Sequence, residues 1–211
     1  MSLSNTSLVQ VDEYPVYCMA TPTISGAKEM LDYLGAKRKP SFIAQKVVLT
    51  DLREEAVVYI NYTPFVLREL NKPVNTLKYV GITGPVVSHL YYSLSVGSCL
   101  FHKVHCVALL TVTTMQVEHM EARLKEDILA EIRQSGGRML LHREEYNPST
   151  NQSGVVGYWE NIRADDVKTP AEVYSALKDD GYDIVYKRIP LTRERDALAS
   201  DIDAIQYCQD E

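Results

Sequence analysis

The sequence predicts an α/β layered domain, and three observations support this prediction. Predicted strands alternate with well-capped helices in the second half of the chain, which is typical of layered α/β folds. Hydrophobic residues make up 45% and charged residues 24% of the composition, as in ordinary globular proteins. The length of 211 residues suits one domain or a small pair. The chain can therefore form a packed core, and wholesale disorder is excluded.

The first predicted element is a helix in the N-terminal part of the chain. Its apolar positions follow the spacing i, i+3, i+4, i+7, and they are Ala27, Met30, Leu31 and Leu34. Ser25 is predicted to cap the start of this helix and Gly35 to end it.

Three short strands are predicted next. Residues 46–50 form a β-branched run, and residues 56–60 and 65–70 flank a predicted hairpin turn at 61–64. Tyr62 occupies a turn position that glycine would suit better.

A second helix is predicted from apolar residues that repeat every four positions, namely Met120, Leu124, Ile128 and Ile132. Gly136 and Gly137 are predicted to end it. Strands are predicted at 138–142 and 155–162, and the polar residues 143–154 between them are predicted to form a loop.

The third helix has the clearest start signal in the chain. Thr169 can cap the first turn, Pro170 needs no amide hydrogen there, and Glu172 can complete a capping box. Gly181 is predicted to end this helix. A strand at 184–189 and a last short helix capped by Ser200 follow.

The net charge of −6 is concentrated at one end of the chain. Residues 165–211 carry six basic and twelve acidic side chains, whereas the rest is neutral overall. We interpret this end as a solvated acidic face. The acidic balance argues against a nucleic-acid partner, which usually requires a basic surface.

The sequence favours a cytoplasmic location. Asp12 and Glu13 fall where a signal peptide would be apolar. The most apolar stretch, residues 90–112, is interrupted by His102, Lys103 and His105, so no membrane span is expected. Four scattered cysteines do not form a disulfide scaffold.

Residues 88–117 do not fit the pattern of the remaining chain. Residues 88–116 contain no acidic residue and one basic residue, and they hold Cys99, His102, His105 and Cys106. These residue types can bind zinc, but they span only eight positions without an intervening loop. We interpret them as weak metal candidates that are close in sequence by chance, and we expect no metal site and no cofactor.

Three stretches carry a resemblance to a known family: residues 51–69, with the sequence DLREEAVVYINYTPFVLRE; residues 120–128, with MEARLKEDI; and residues 169–174 with 186–191, with TPAEVY and YKRIPL. The chain resembles one truncated repeat of the paladin family, relatives of the cysteine-dependent phytase-like phosphatases of the protein-tyrosine-phosphatase superfamily. It is most similar to the multi-repeat paladin-like proteins of plants.

The resemblance implies an incomplete phosphatase-like domain with a mixed sheet flanked by helices, interrupted by an apolar insertion. Residues 12–87 would form its N-terminal part and residues 118–211 its continuation, which would end before the catalytic loop. Residues 88–117 would be an atypical insertion, and we hypothesise that they are a translated intron. The rival interpretation is a real surface loop. An incomplete domain would have open sheet edges, so we expect poor stability or oligomerisation.

In active relatives the resemblance implies hydrolysis of phosphate esters such as inositol phosphates by a Cys-x5-Arg loop. Its thiolate attacks phosphorus, and its backbone amides and arginine hold the phosphate oxygens. The positions six residues after Cys18, Cys99 and Cys106 are Ile24, His105 and Val112, and the sequence ends soon after Cys208. We therefore predict no catalytic residue in this chain.

The general acid of the family is also in doubt here. Active members often place an aspartate two residues after the Arg-x-Pro-x strand end, where this chain has Arg193. Asp196 is the nearest substitute. Arg188 is expected to be a scaffold residue rather than a phosphate ligand.

Three functions remain open. The first is a non-catalytic module that binds a phosphorylated small molecule or a protein partner, including the remaining repeats of a longer paladin-like chain. The second is a fragment of an active inositol-phosphate or protein phosphatase whose catalytic loop lies beyond residue 211. The third is a small metal-binding protein. We favour the first, a pseudophosphatase.

Overall fold

The structure is a computed structural model that describes residues 2–3, 6–10, 15–40, 43–69, 72–76, 113–149, 151–191 and 197–209. The described helices are α1 (Ile24–Tyr33), α2 (Thr114–Gln134), α3 (Pro170–Asp179) and α4 (Ala199–Gln209). The described strands are β1 (Ser2–Leu3), β2 (Thr6–Gln10), β3 (Tyr17–Met19), β4 (Val47–Arg53), β5 (Val57–Ile60), β6 (Thr63–Val66), β7 (Arg68–Glu69), β8 (Lys72–Thr76), β9 (Arg138–Asn147), β10 (Gln152–Asn161), β11 (Val167–Lys168) and β12 (Ile184–Leu191).

Strand direction is mixed, as the sequence analysis expected. Strand β12 pairs with β4 in parallel, from Ile184 opposite Val47 to Arg188 opposite Asp51. The other paired strands are antiparallel, including β11–β5–β6 and β9–β10. The prediction of an α/β domain is therefore confirmed. Both parallel strands run further than the sequence predicted.

Strand β5 separates two hydrophobic cores, because its four residues are buried and alternate between its faces. Val57 and Tyr59 pack into a core with α1 and α3. Val58 and Ile60 pack into a second core with α2, β9 and the region around Val167. One short strand thus joins the two halves of the described structure.

The cap of α1 differs from the prediction. Thr23 caps this helix, since its Oγ1 accepts a hydrogen bond from the amide of Gly26 at 3.1 Å. Ser25 lies inside the first turn, and its hydroxyl contacts that of Thr23 instead. Gly35 follows the helix at φ 73°, a conformation that favours glycine, so the predicted end is confirmed.

Helices α2 and α3 both begin with a complete capping box. In α3 the box joins Thr169 and Glu172, as predicted. In α2 it joins Thr113 and Gln116, so this helix starts before Met120. The buried stripe of α2 includes Leu124, Ile128 and Ile132 as predicted, together with Val117 and a charged residue, Glu121.

The turn between β5 and β6 is shorter than predicted. It consists of Asn61 and Tyr62 alone, and both have positive φ, 46° and 72°. Two such residues give the twist that a two-residue hairpin requires. Thr63 and Pro64 therefore belong to β6 rather than to the turn.

The predicted loop at 143–154 is wrong, because most of these residues extend β9 and β10 into one long hairpin. Residues 143–146 are exposed, and Arg143 lies over the ring of Tyr158 at 5.1 Å. Polar residues here indicate a solvated part of the hairpin, since an exposed antiparallel ladder does not need apolar side chains.

The predicted cap of the last helix is also wrong. Helix α4 begins at Ala199, so Ser200 lies within its first turn. The side chain of Asp201 accepts a hydrogen bond from the amide of Leu198 at 2.9 Å. Asp201 rather than Ser200 thus provides a hydrogen-bond acceptor for the backbone at the start of this helix.

Among the described residues, no helix combines the length and apolar character needed to cross a bilayer.

Candidate functional site

The carboxyl ends of β4 and β12 lie side by side, because the two strands are parallel and in register. Leu191 pairs with Arg53 at this edge. Open α/β sheets bind ligands outside the carboxyl ends of their strands. This edge, which we call the carboxyl edge of β4 and β12, is therefore the place to look for a site.

Arg188 is the centre of a buried charge cluster just behind that edge. Its side chain is fully buried. Its Nη2 atom lies 2.8 Å from Glu121 Oε1, 3.1 Å from Asp51 Oδ2 and 2.9 Å from the hydroxyl oxygen of Tyr186. We refer to Arg188, Glu121, Asp51 and Tyr186 as the Arg188 cluster.

The cluster also fixes the backbone around it. Arg188 Nη1 donates to the carbonyl oxygen of Arg53 at 3.1 Å, and the carbonyl oxygen of Arg188 accepts a hydrogen bond from Thr114 Oγ1 at 2.9 Å. Glu121 Oε1 accepts the amide hydrogen of Val57 at 3.1 Å. Strands β4, β5 and β12 and helix α2 are thus tied together at one point.

The electrostatics of the cluster follow from its burial. Burial raises the pKa of Glu121 to about 7, although Arg188 and the amide of Val57 favour its charged form. Burial opposes the charge of Arg188, but the carboxylates of Glu121 and Asp51 raise its pKa above the ordinary value. The guanidinium therefore stays charged, whereas Glu121 titrates close to neutral pH.

Tyrosines surround the cluster on the side of the first core. The rings of Tyr174 and Tyr186 stack with centroids 4.6 Å apart, and the hydroxyl of Tyr59 donates to the carbonyl oxygen of Pro22 at 3.1 Å. Burial raises the pKa of Tyr59 to about 12 and also raises the pKa of Tyr174 and Tyr186. These hydroxyls thus remain protonated donors at neutral pH.

Among the described residues, Arg53 is a partly exposed cation at the carboxyl edge. About a third of its side chain is accessible, and it contacts Thr21 Oγ1 at 3.0 Å and pairs with Glu55. The amide of Arg53 donates to Asp51 Oδ1 at 3.0 Å. A guanidinium held in this way can bind a phosphate oxygen with its remaining N–H donors.

A separate groove of about 400 Å³ lies between α2 and α3. Its lining includes Glu118, Glu121, Glu126 and Glu172, and its one cation, Lys125, lies 2.7 Å from both carboxylate oxygens of Glu172. An excess of carboxylates repels anions, so this groove does not suit a phosphorylated ligand.

Several residues singled out from the sequence lie outside the described residues: Arg193, Asp196, Cys99, His102, His105 and Cys106. Cys18 is exposed on β3, and Cys208 belongs to α4. Within the part of the chain that the structure describes, no group of three or more metal-ligating side chains occurs.

Sequence reasoning found Arg188 and missed its partners. Arg188 has the scaffold contacts that were expected of it. Glu121 was missed, although its position offered a signal: it occupies the apolar stripe of α2 between Val117 and Leu124, where a charged residue needs a buried partner.

The three sequence motifs that carry the family resemblance meet at the Arg188 cluster. The first motif supplies Asp51 and Arg53, the second supplies Glu121, and the third supplies Tyr186 and Arg188. Segments that are far apart in sequence thus share one physical role, which is to hold the carboxyl edge of β4 and β12.

The chain is similar to one known protein family. The sequence profile of the PTP-like phytase family, whose description reads inositol hexakisphosphate, matches residues 50–95 and 102–211. No curated protein and no solved structure matches the chain significantly. The matched residues make up about three quarters of the sequence and contain the whole Arg188 cluster. The chain belongs to the PTP-like phytase family.

Proposed function

We propose that this chain is a non-catalytic, paladin-like phosphatase module that binds a phosphorylated ligand or a phosphorylated protein partner without turnover. Family membership supports the phosphatase scaffold. The observation that carries the rest is in the sequence: the positions six residues after Cys18, Cys99 and Cys106 hold Ile24, His105 and Val112, and none of these is an arginine. None of these three cysteines can therefore begin a Cys-x5-Arg loop that holds a thiolate against a phosphate.

The described cations support binding at the carboxyl edge. Arg188 is fully buried and its Nη atoms contact protein groups, so it does not reach a ligand. Arg53 lies at the same edge and is partly accessible. A phosphate ester with several negative charges suits this position, and inositol hexakisphosphate is the natural probe because the family description names it.

The alternative is a fragment of an active phosphatase. The family match extends to residue 211, so a longer product of the same gene could continue into a Cys-x5-Arg loop. The coding sequence beyond codon 211 distinguishes the two proposals. A Cys-x5-Arg loop there would make the longer protein an enzyme, and its absence would leave a pseudophosphatase.

Isothermal titration of the full chain with inositol hexakisphosphate tests the binding proposal. We expect binding that Arg53→Gln weakens by about tenfold or more, because a charge-assisted contact is lost. Arg38→Gln is the matched control, since Arg38 is also paired with a carboxylate, Asp183 at 3.3 Å, but near the amino end of β12. Equal loss in both variants, or no binding by the unaltered chain, would contradict the proposal.

A further inference from the structure

Glu121 is a buried carboxylate in the apolar stripe of α2, where burial of a charge is costly unless the charge is paired. Glu121 Oε1 accepts two hydrogen bonds. One comes from Arg188 Nη2 and the other from the amide of Val57. A carboxylate repels an anion, so Glu121 is not suited to contact a phosphate itself. Its contribution to binding, if any, must therefore pass through the residues that it holds.

The contacts define such a route. Glu121 holds Arg188 Nη2 at 2.8 Å, and Arg188 Nη1 holds the carbonyl oxygen of Arg53 at 3.1 Å. Arg53 is the accessible cation at the carboxyl edge. Two hydrogen bonds thus connect a buried acid on α2 with the backbone of the residue that would touch a phosphate.

The same acid also acts on the second strand of the edge. Arg188 belongs to β12, and its own carbonyl oxygen is held by Thr114 at the start of α2. Fixing Arg188 therefore fixes the last residues of β12, which ends at Leu191. Small displacements of groups that contact a ligand are costly, because affinity depends on their geometry.

We infer that Glu121 is a positioning residue for phosphate binding, which acts through Arg188 on Arg53 and on the end of β12. This inference rests on the proposed function. The charged and titratable groups that face Glu121 are Arg188 from β12, Asp51 from β4 and Glu118 from its own helix, with the hydroxyls of Tyr59 and Tyr186 beside them.

Glu121→Gln separates positioning from simple electrostatics. Glutamine has the same size but no charge, so removing a negative charge near the site would by itself strengthen the binding of an anion. Loss of position would weaken it. Glu118→Gln is the matched control, because it removes an exposed charge one turn earlier on the same helix.

We expect Glu121→Gln to weaken the binding of inositol hexakisphosphate by about tenfold at pH 8.5, whereas Glu118→Gln leaves it unchanged or slightly stronger. The ratio of the two affinities, unaltered chain over Glu121→Gln, should approach one as the pH falls below about 7, because Glu121 then becomes neutral itself. A purely structural defect would leave that ratio independent of pH.

The outcomes are distinguishable. Binding that Glu121→Gln leaves unchanged or strengthens contradicts the positioning role alone. No binding by the unaltered chain contradicts the proposed function and this inference with it. Should Glu121→Gln unfold under the assay conditions, Asp51→Asn carries the same expectation of weaker binding at pH 8.5, since Asp51 is the other carboxylate that contacts Arg188.

Discussion

Glu121 and Arg188 form a buried ion pair, with 2.8 Å between Oε1 and Nη2, although the two residues are 67 positions apart in sequence. The pair joins α2 to β12 directly behind the carboxyl edge of β4 and β12. Buried charges are costly unless they are paired and hydrogen-bonded. Asp51, Tyr186 and the carbonyl oxygen of Arg53 also contact the two Nη atoms of Arg188, whereas its buried Nε has no hydrogen-bond partner among the described residues.

The first prediction concerns the removal of the cation. Arg188→Met leaves the carboxylates of Glu121 and Asp51 buried without their partner. We expect the free energy of unfolding to fall by about 3–5 kcal/mol, the range for a broken buried pair. Urea denaturation at pH 8.5, where Glu121 is ionised, measures this change.

The matched double variant tests the cause. Arg188→Met combined with Glu121→Leu removes both charges, so its loss should be smaller than the sum of the two single losses. Strictly additive losses, or a loss below about 1 kcal/mol for Arg188→Met, would show that the ion pair contributes little.

The second prediction concerns pH. The pKa of Glu121 is raised from 4.5 to about 7 in the folded chain, chiefly by burial. The folded state therefore binds more protons than the unfolded state between these pH values. The resulting contribution of Glu121 to the free energy of unfolding is complete below pH 4.5 and is lost as the pH rises through 7.

Denaturation of the unaltered chain and of Glu121→Gln from pH 4.5 to 8 checks the sign. The unfolding free energy of the unaltered chain minus that of Glu121→Gln should decrease with rising pH, by at most about 1.4 kcal/mol per pH unit. The subtraction cancels the contributions of other groups, such as His142, whose pKa is lowered by burial. A difference that rises with pH would mean that the ion pair outweighs burial.

The third prediction concerns the turn between β5 and β6. Tyr62 has φ 72° and an exposed side chain, whereas its carbonyl oxygen accepts the amide hydrogen of Ile24. Glycine keeps that hydrogen bond and adopts this conformation without strain. Tyr62→Gly should therefore increase the free energy of unfolding by about 1 kcal/mol, which thermal denaturation would detect as a higher midpoint.

Gly181 provides the opposite test. It has φ 92°, and an added Cβ would contact nothing within 4 Å, so Gly181→Ala introduces backbone strain alone. We expect a loss of about 1 kcal/mol. The same sign for both substitutions would disprove the role of backbone conformation at these positions.

The fourth prediction concerns residues 88–117, which the sequence led us to interpret as a translated intron, although Thr114 contacts Arg188 and Val117 is buried in α2. Tryptic peptides from the source tissue should join residues 79–87 directly to 118–123 in the spliced product. The rival peptide consists of residues 79–103, and the family profile supports it because the profile also matches residues 88–95 and 102–117. Its detection would make the segment part of the native protein.

The parts of the fold that local sequence determines were predictable. The capping box of Thr169 and Glu172 and the apolar stripe of α2 depend on residues a few positions apart, and both are confirmed. The exposed part of the β9–β10 hairpin was missed, because its polar residues resemble a loop when no neighbouring strand is known.

The Arg188 cluster could not be predicted from local sequence either, because it depends on contacts between distant segments. Asp51, Glu121 and Arg188 meet only when β12 pairs with β4 and α2 packs across both. The motifs that suggested the family contained all three residues, but nothing in their spacing indicated that one guanidinium would hold them together.

We propose that this chain of the PTP-like phytase family has a phosphatase scaffold without phosphatase chemistry. Phosphate release from inositol hexakisphosphate and from an aryl phosphate by the purified full chain tests it most directly. We predict no release above the buffer background. Measurable turnover that is abolished by Cys208→Ser would contradict the claim and identify the chain as an enzyme.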